Sequence, residues 1–174
     1  MTASATVHLL RHGEVHNPER IVYGRLPEYH LSETGRQMAE LAAAELARRA
    51  ADGARIVWLG ASPLTRAQET AAPVSRELGL PVHTDERLIE AGNWFEGLHV
   101  DRRELAGSPR HWPKLLNPLR PSWGEPYREQ VIRMAEAVKA AAVRAVELGG
   151  DGAEAVLVSH QLPIWILRRS IEGR

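Results

Sequence analysis

At 174 residues the chain has the size of one compact domain. Apolar residues at 44% and charged residues at 25% are globular proportions, which exclude a disordered or collagen-like chain. The 22 basic side chains balance 22 acidic ones, so no polyanion such as a nucleic acid is held by bulk charge. Cysteine is absent, which removes disulfides, thiolate metal sites and thiol nucleophiles together and fits a reducing compartment. The segment 1–6 lacks the basic start and long apolar stretch of a signal peptide. No run approaches the roughly 18 apolar residues of a membrane span. The expected location is the cytoplasm, with no membrane partner.

Taken in order, residues 5–10 (ATVHLL) form a short apolar run stopped at Gly13, the signature of a buried strand. Residues 14–31, with Asn17-Pro18 and Leu26-Pro27, read as a loop. Ser32 or Thr34 can cap a helix, Thr34 with Gln37 fitting a capping box. Met38, Leu41, Ala42, Leu46 and Ala50 then supply an apolar stripe to about Ala51. Residues 55–61 (RIVWLGA) predict a second strand, and 65–78 a helix that Pro73 should kink or shorten. Residues 81–88 predict a third, weaker strand. The segment 91–125 has no regular period beyond a turn of helix near 101–105. Residues 126–148 predict a long helix on the stripe Val131, Met134, Val138, Ala142 and Val146. A fourth strand follows over 153–159 (AEAVLVS), and a final helix over 162–171. Strands alternating with helices imply a three-layer α/β/α sandwich around a mostly parallel sheet, in one domain over 1–174. In such sheets ligands gather beyond the carboxyl ends of the strands.

Those ends carry the chemistry. The first strand delivers Arg11-His12-Gly13-Glu14, the second Ser62-Pro63-Leu64-Thr65-Arg66, the third Leu88-Ile89-Glu90, and the fourth Ser159-His160-Gln161. A folding core has no use for such a gathering, because buried charge is costly unless paired. Guanidiniums and imidazoles together make an anion receptor, and planar guanidinium forks suit phosphate. A histidine inside that cage can attack a phosphoryl group while a carboxylic acid protonates the leaving oxygen. His8, His12 and His16 are four apart, as helical metal ligands would be. They fall on a strand and across Gly13, so the spacing loses that meaning and no metal site is expected. No phosphate-binding Gly-rich loop with Lys-Ser/Thr and no Gly-x-Ser-x-Gly occurs.

These blocks together resemble the histidine phosphatase superfamily, the phosphoglycerate-mutase-like fold. Leu10-Arg11-His12-Gly13-Glu14 matches its first signature and residues 62–71 (SPLTRAQETA) its second block. Tyr23-Gly24-Arg25-Leu26 through Leu31-Ser32-Glu33-Thr34-Gly35 resembles the segment between them. Leu88-Ile89-Glu90 with Trp94-Phe95-Glu96-Gly97 resembles the acid-bearing loop, and Val158-Ser159-His160 the last block. The resemblance implies that His12 is the nucleophile that becomes phosphohistidine. It implies that Arg11, Arg66 and His160 hold the phosphoryl oxygens and that Glu90 is the proton donor. Asn17, Gly24 and Gln161 join Arg11, Arg66 and His160 as implied phosphate or substrate contacts. No cofactor and no metal is implied, since the cations come from side chains. The second ring nitrogen of His12 is expected to donate to a backbone carbonyl.

The chain departs from the family pattern in places. Gln161 stands where glycine usually follows the second histidine, and Pro126 replaces serine in a Gly-Glu-Ser helix start. Family members commonly continue into another strand, so either this fold is minimal or Arg174 is not its natural end. The aromatic and cationic segment 91–125, with Trp94, Trp112, Trp123, Arg102 and Arg110, fits either a cover for the sheet edge or a substrate lid. The resemblance favours a metal-independent phosphomonoesterase of histidine acid phosphatase type acting on a small phosphorylated metabolite. The competing readings are phosphoglycerate mutase-type transfer and a non-catalytic phospho-ligand module. The oligomeric state is left open, a homodimer included.

Overall fold

The computed structural model describes residues 3–99 and 124–173. The turn of helix expected near 101–105 and most of the expected lid lie outside them. The elements are β1 (Ala5–Arg11), α1 (Glu33–Ala51), β2 (Ile56–Ala61), α2 (Thr65–Leu78), β3 (Val82–Thr84), a 3₁₀ turn (Glu86–Leu88), α3 (Tyr127–Gly149), β4 (Ala153–Ser159) and α4 (Gln161–Ile171). The strands pair in parallel in the order β1-β4-β2-β3. The sheet is therefore extended in one direction by β1, β2 and β3, and the chain then returns to insert β4 between the first two. Register brings the carboxyl ends level: Arg11 lies opposite Ser159, and Ala61 opposite Val158. His12, Ser62 and His160 follow directly on three adjacent strands, which is how positions distant in sequence meet.

β4 is apolar on both sides because helices cover both sides. Val156 and Val158 pack with Ala43 and Leu46 of α1 and Ala67, Ala71 and Val74 of α2. Ala153, Ala155 and Leu157 pack with Met134, Ala137, Ala141 and Ala145 of α3 and Leu167 of α4. The three-layer α/β/α sandwich is present. Among the described residues, no helix is long and apolar enough to cross a membrane.

Several sequence expectations are corrected. In α3 the buried stripe is Gln130, Met134, Ala137, Ala141 and Ala145, one position away from the valines, and Val143 is exposed. In α1 the buried residues are Gly35, Ala39, Ala43 and Leu46, while Met38 and Leu41 face outward. In both helices small side chains let the helix lie close against its neighbours, and that approach outweighs raw hydrophobicity in choosing the buried face. Ser32, not a Thr34–Gln37 box, caps α1: its Oγ accepts from the Gly35 N–H. Pro73 neither ends α2 nor shortens it, because Pro73 and Val74 are buried in the helical array and tertiary packing outweighs one lost hydrogen bond. Left-handed Gly79 ends that helix. The third strand spans only Val82–Thr84, because the Asp85 carboxylate accepts from the Arg87 N–H and turns the chain into the 3₁₀ turn that buries Leu88.

The end of β1 is wedged against the start of α1. The Glu14 carbonyl accepts from the Ser32 N–H at 2.9 Å, and the Glu14 carboxylate from the Ser32 hydroxyl at 2.6 Å. A Cβ at Gly13 would clash with the Gly35 backbone, and one at Gly35 with the Glu14 carbonyl. Two facing glycines permit this approach. From the other side, the Thr70 hydroxyl accepts from the Gly13 N–H at 3.1 Å. The peptide after His12 is thus clamped between two helices.

Candidate active site

A cavity of about 490 Å³ opens at the carboxyl ends of the strands, bordered by Arg11, His12, Gly24, Glu90 and Gln161 among others. Its position is the one that strand order favours for a ligand. His12 is 4% exposed. Its Nδ1 lies 2.7 Å from the Gly13 carbonyl, which can only accept, so Nδ1 carries the proton and Nε2 keeps the lone pair. Its main-chain N–H donates to the Ser159 carbonyl, tying it to β4. Burial, and then the Arg66 and Arg11 cations, hold its pKa down to about 4, so the ring is neutral at pH 7.

His160 is fully buried, with its ring centroid 5.1 Å from that of His12. Its Nε2 pairs with the Ser62 hydroxyl at 2.7 Å, and its buried Nδ1 has no partner among the described residues. Burial and the neighbouring Arg66 and His12 push its pKa far below the ordinary range.

Arg66 does not border the cavity but lies fully buried beside it. Its Nη1 and Nη2 donate to the carbonyls of Leu26 and Gly24, and its guanidinium stacks on Tyr23 at 4.8 Å. Its Nε–H is buried without a partner among the described residues. The cation therefore clamps the loop around Gly24 while acting electrostatically on His12, His160 and Glu90. Gly24 itself has φ +36°, and a Cβ there would enter the Glu96 side chain, so the clamp requires glycine. Arg11 is exposed at the cavity and pairs with no described residue through its guanidinium. Among the described residues, no cluster of three or more His, Asp or Glu side chains could hold a metal ion.

Glu90 is half-buried, with its pKa raised chiefly by burial against the opposing pull of Arg66, Arg133 and Arg11. Its Oε1 accepts from the Ala91 N–H at 2.8 Å, which leaves Oε2 for a proton. Asn17 is not brought to the cavity. Its amide donates to the Ile21 carbonyl and accepts from the Ile21 N–H, closing the loop 17–21. An asparagine before proline binds its own backbone in this way. Gln161 is the first residue of α4 and exposed at the cavity. His8 belongs to β1, where its Nε2 meets the Glu154 carboxylate at 2.5 Å, and takes no part in the site.

Sequence reasoning missed a supporting ring. Arg133 grips both oxygens of Glu125 at 2.7 and 2.9 Å, and Arg25 donates to Glu125 at 2.9 Å and to the Glu90 carbonyl at 2.7 Å. Glu125 thereby locks the start of α3 to the peptide of the candidate acid. The signal available was Gln130, a polar residue at the head of an otherwise apolar stripe.

Two buried histidines held neutral make the fold acid-sensitive. In the unfolded chain they titrate near pH ~6.5; in the fold His12 titrates at about 4. Between those values the unfolded state binds more protons, so stability falls as pH falls. Glu90, raised in the fold, runs the other way. The net expectation is a loss of roughly 1–2 kcal/mol per pH unit between pH 6 and 5. Urea midpoints at pH 7, 6 and 5 measure it, and His12→Gln should lessen the slope. A flat profile contradicts the burial-driven shifts.

Residues 7–174 match the model of the Histidine phosphatase superfamily (branch 1). Uncharacterized protein Rv0525 of Mycobacterium tuberculosis (strain ATCC 25618 / H37Rv) is 50% identical over 175 residues, spanning 100% of this chain and 82% of that protein. Bifunctional protein Rv2228c of the same strain is 34% identical over 164 residues, which is 92% of this chain and 42% of that protein. Among solved structures, mycobacterial glucosyl-3-phosphoglycerate phosphatase Rv2419c superposes with a TM-score of 0.73 at 28% identity, over 95% of this chain and 78% of that one. YhfR from Bacillus stearothermophilus gives 0.74 at 28%, over 97% and 80%. The α-ribazole phosphatase from Shigella flexneri gives 0.70 at 25%, over 96% and 79%. The chain belongs to the histidine phosphatase superfamily, and its structural neighbours include phosphatases.

Proposed function

We propose that the chain is a metal-independent phosphomonoesterase that acts through a phosphohistidine on a small phosphorylated metabolite. The observation that carries this reading is the state of His12: neutral, buried, and pinned through Nδ1, so that Nε2 is the free lone pair at the cavity. Nε2 attacks phosphorus while the bond from phosphorus to the ester oxygen breaks. The Glu90 carboxylic acid gives its proton to that departing oxygen. Water then attacks the phosphohistidine, Glu90 takes its proton, and the P–N bond breaks to release inorganic phosphate and neutral His12. Arg11 and Arg66 supply the positive field in which charge develops on the phosphoryl oxygens. Beside the cavity, the Arg66 Nε–H and, in its protonated tautomer, His160 Nδ1 are buried donors with no acceptor among the described residues. The phosphatases among the structural neighbours support the reaction class.

The test is turnover of an aryl phosphate with and without a chelator. Equal rates support the reading; absence of turnover, or loss on chelation, contradicts it. Glu90→Gln adds the mechanistic arm. It should cost about 10²–10³-fold in kcat/KM for alkyl esters, whose leaving oxygen needs a proton, and about tenfold or less for nitrophenyl phosphate. Equal losses on both would remove Glu90 as the general acid.

A further inference from the structure

Gln130, in the first turn of α3, borders the cavity and is 1% exposed. Its Nε2 donates to the Glu125 carbonyl at 2.9 Å. Because a carbonyl only accepts, that bond fixes which way the amide faces. Oε1 is then a buried acceptor with no partner among the described residues. Leaving such an acceptor unmet costs about 1–3 kcal/mol, and only a group with a hydrogen to give can meet it. An ionised carboxylate or phosphate has none; a hydroxyl has one.

The charges around the cavity point the same way. Among its described lining residues Arg11 is the one guanidinium, and it stands beside the nucleophile where the phosphoryl group sits. The other charged groups on the lining are the carboxylates of Glu90 and Glu125. Arg25 and Arg133 are turned onto Glu125 and onto main-chain carbonyls. Among the described lining residues no cation is thus left unengaged for a second anionic group on the substrate. The remaining wall includes the rings of Tyr127 and Trp165, aromatic surface of the kind that takes a sugar ring or a base, while Tyr23 is already covered by Arg66 and Tyr29.

We infer that Gln130 is a specificity-determining residue whose Oε1 accepts a hydrogen bond from a hydroxyl of the leaving group, so that the substrate is the phosphate ester of an uncharged, hydroxyl-bearing alcohol such as a polyol, sugar or nucleoside. The inference rests on the phosphatase reading and narrows it.

The test uses three matched esters. Glycerol 3-phosphate carries two hydroxyls, 3-phosphoglycerate replaces one carbinol with a carboxylate, and propyl phosphate has no hydroxyl. The wild-type protein should turn over glycerol 3-phosphate with kcat/KM at least about tenfold above either of the others. In Gln130→Leu the preference for glycerol 3-phosphate over propyl phosphate should shrink to within about twofold. Equal or better use of 3-phosphoglycerate by the wild type overturns the inference, as does an unchanged preference in the variant. The wild-type comparison decides alone if the variant does not fold. Nitrophenyl phosphate separates the two levels. If it is hydrolysed while 3-phosphoglycerate is preferred, the inference fails and the phosphatase reading stands. If no ester is hydrolysed, the phosphatase reading fails, and calorimetric affinities for glycerol 3-phosphate and 3-phosphoglycerate, expected in the same order, still decide the inference.

Discussion

The His12→Ala protein is expected to lose about 10⁴-fold or more in aryl phosphate turnover while keeping its fold. The loss is this large because no other described group at the cavity combines a neutral lone pair with a fixed orientation. His160 is the nearest imidazole, but its Nε2 is engaged by Ser62 and it sits beneath the surface. The fold should persist because what ties the segment to the sheet is main chain: the bond from the residue 12 N–H to the Ser159 carbonyl survives the substitution. Removing a buried ring that resists protonation also lessens acid sensitivity, so the variant should be relatively more stable at pH 5 than at pH 7 when each is compared with the parent. Steady-state assays and thermal melts check both halves. A residual rate within tenfold of the parent contradicts the assignment of His12.

Gly35→Ala is expected to destabilise the fold by about 2–4 kcal/mol. Helix propensity alone predicts the opposite, since alanine is favoured over glycine within a helix by about 1 kcal/mol. The steric term wins because the new methyl would enter the Glu14 carbonyl, which is backbone and already bonded to the Ser32 N–H. Relief requires the end of β1 to retreat from α1. The Gly13 carbonyl that orients His12 lies on that same stretch, so kcat should fall as well as stability. Urea denaturation with the assay alongside measures both effects. A variant as stable as the parent would mean that the crossing is looser than the geometry shows.

Strand ends were legible in the sequence because each carries a residue that a core would reject. Arg11-His12, Ser62 and His160 stand where their strands stop, and a parallel sheet sends those stops to one edge, whereas Glu90 reaches that edge only after the 3₁₀ turn that follows the short β3. Order within the sheet was not legible. Nothing in residues 153–159 states that they enter between β1 and β2, yet that insertion is what sets His160 beside His12. Helix faces misled for a physical reason: the alanines of α3 and the glycine and alanines of α1 are buried because they are small, which a hydrophobic stripe does not register. Arg66 shows the same limit at the site. Its presence after the second strand marks an anion centre, but only the fold shows its guanidinium stacked on Tyr23 and bonded to the Gly24 and Leu26 carbonyls. That the Asn17 amide closes its own loop onto Ile21 is likewise visible only in the fold. The Glu125–Arg25–Arg133 ring joins positions 100 residues apart in sequence, and its one local mark is Gln130, which bonds the Glu125 carbonyl from the head of the α3 stripe.

In the proposed mechanism a phosphoryl group resides on Nε2 of His12 during turnover. The direct measurement is to quench the protein in alkali during hydrolysis of a radiolabelled phosphate ester and to map the label by peptide digestion. The expected result is acid-labile, base-stable label on the peptide containing His12, attached at Nε2 because Nδ1 is held by the Gly13 carbonyl, and no label in His12→Ala. Label that survives acid, lies on another residue, or persists in His12→Ala would contradict it.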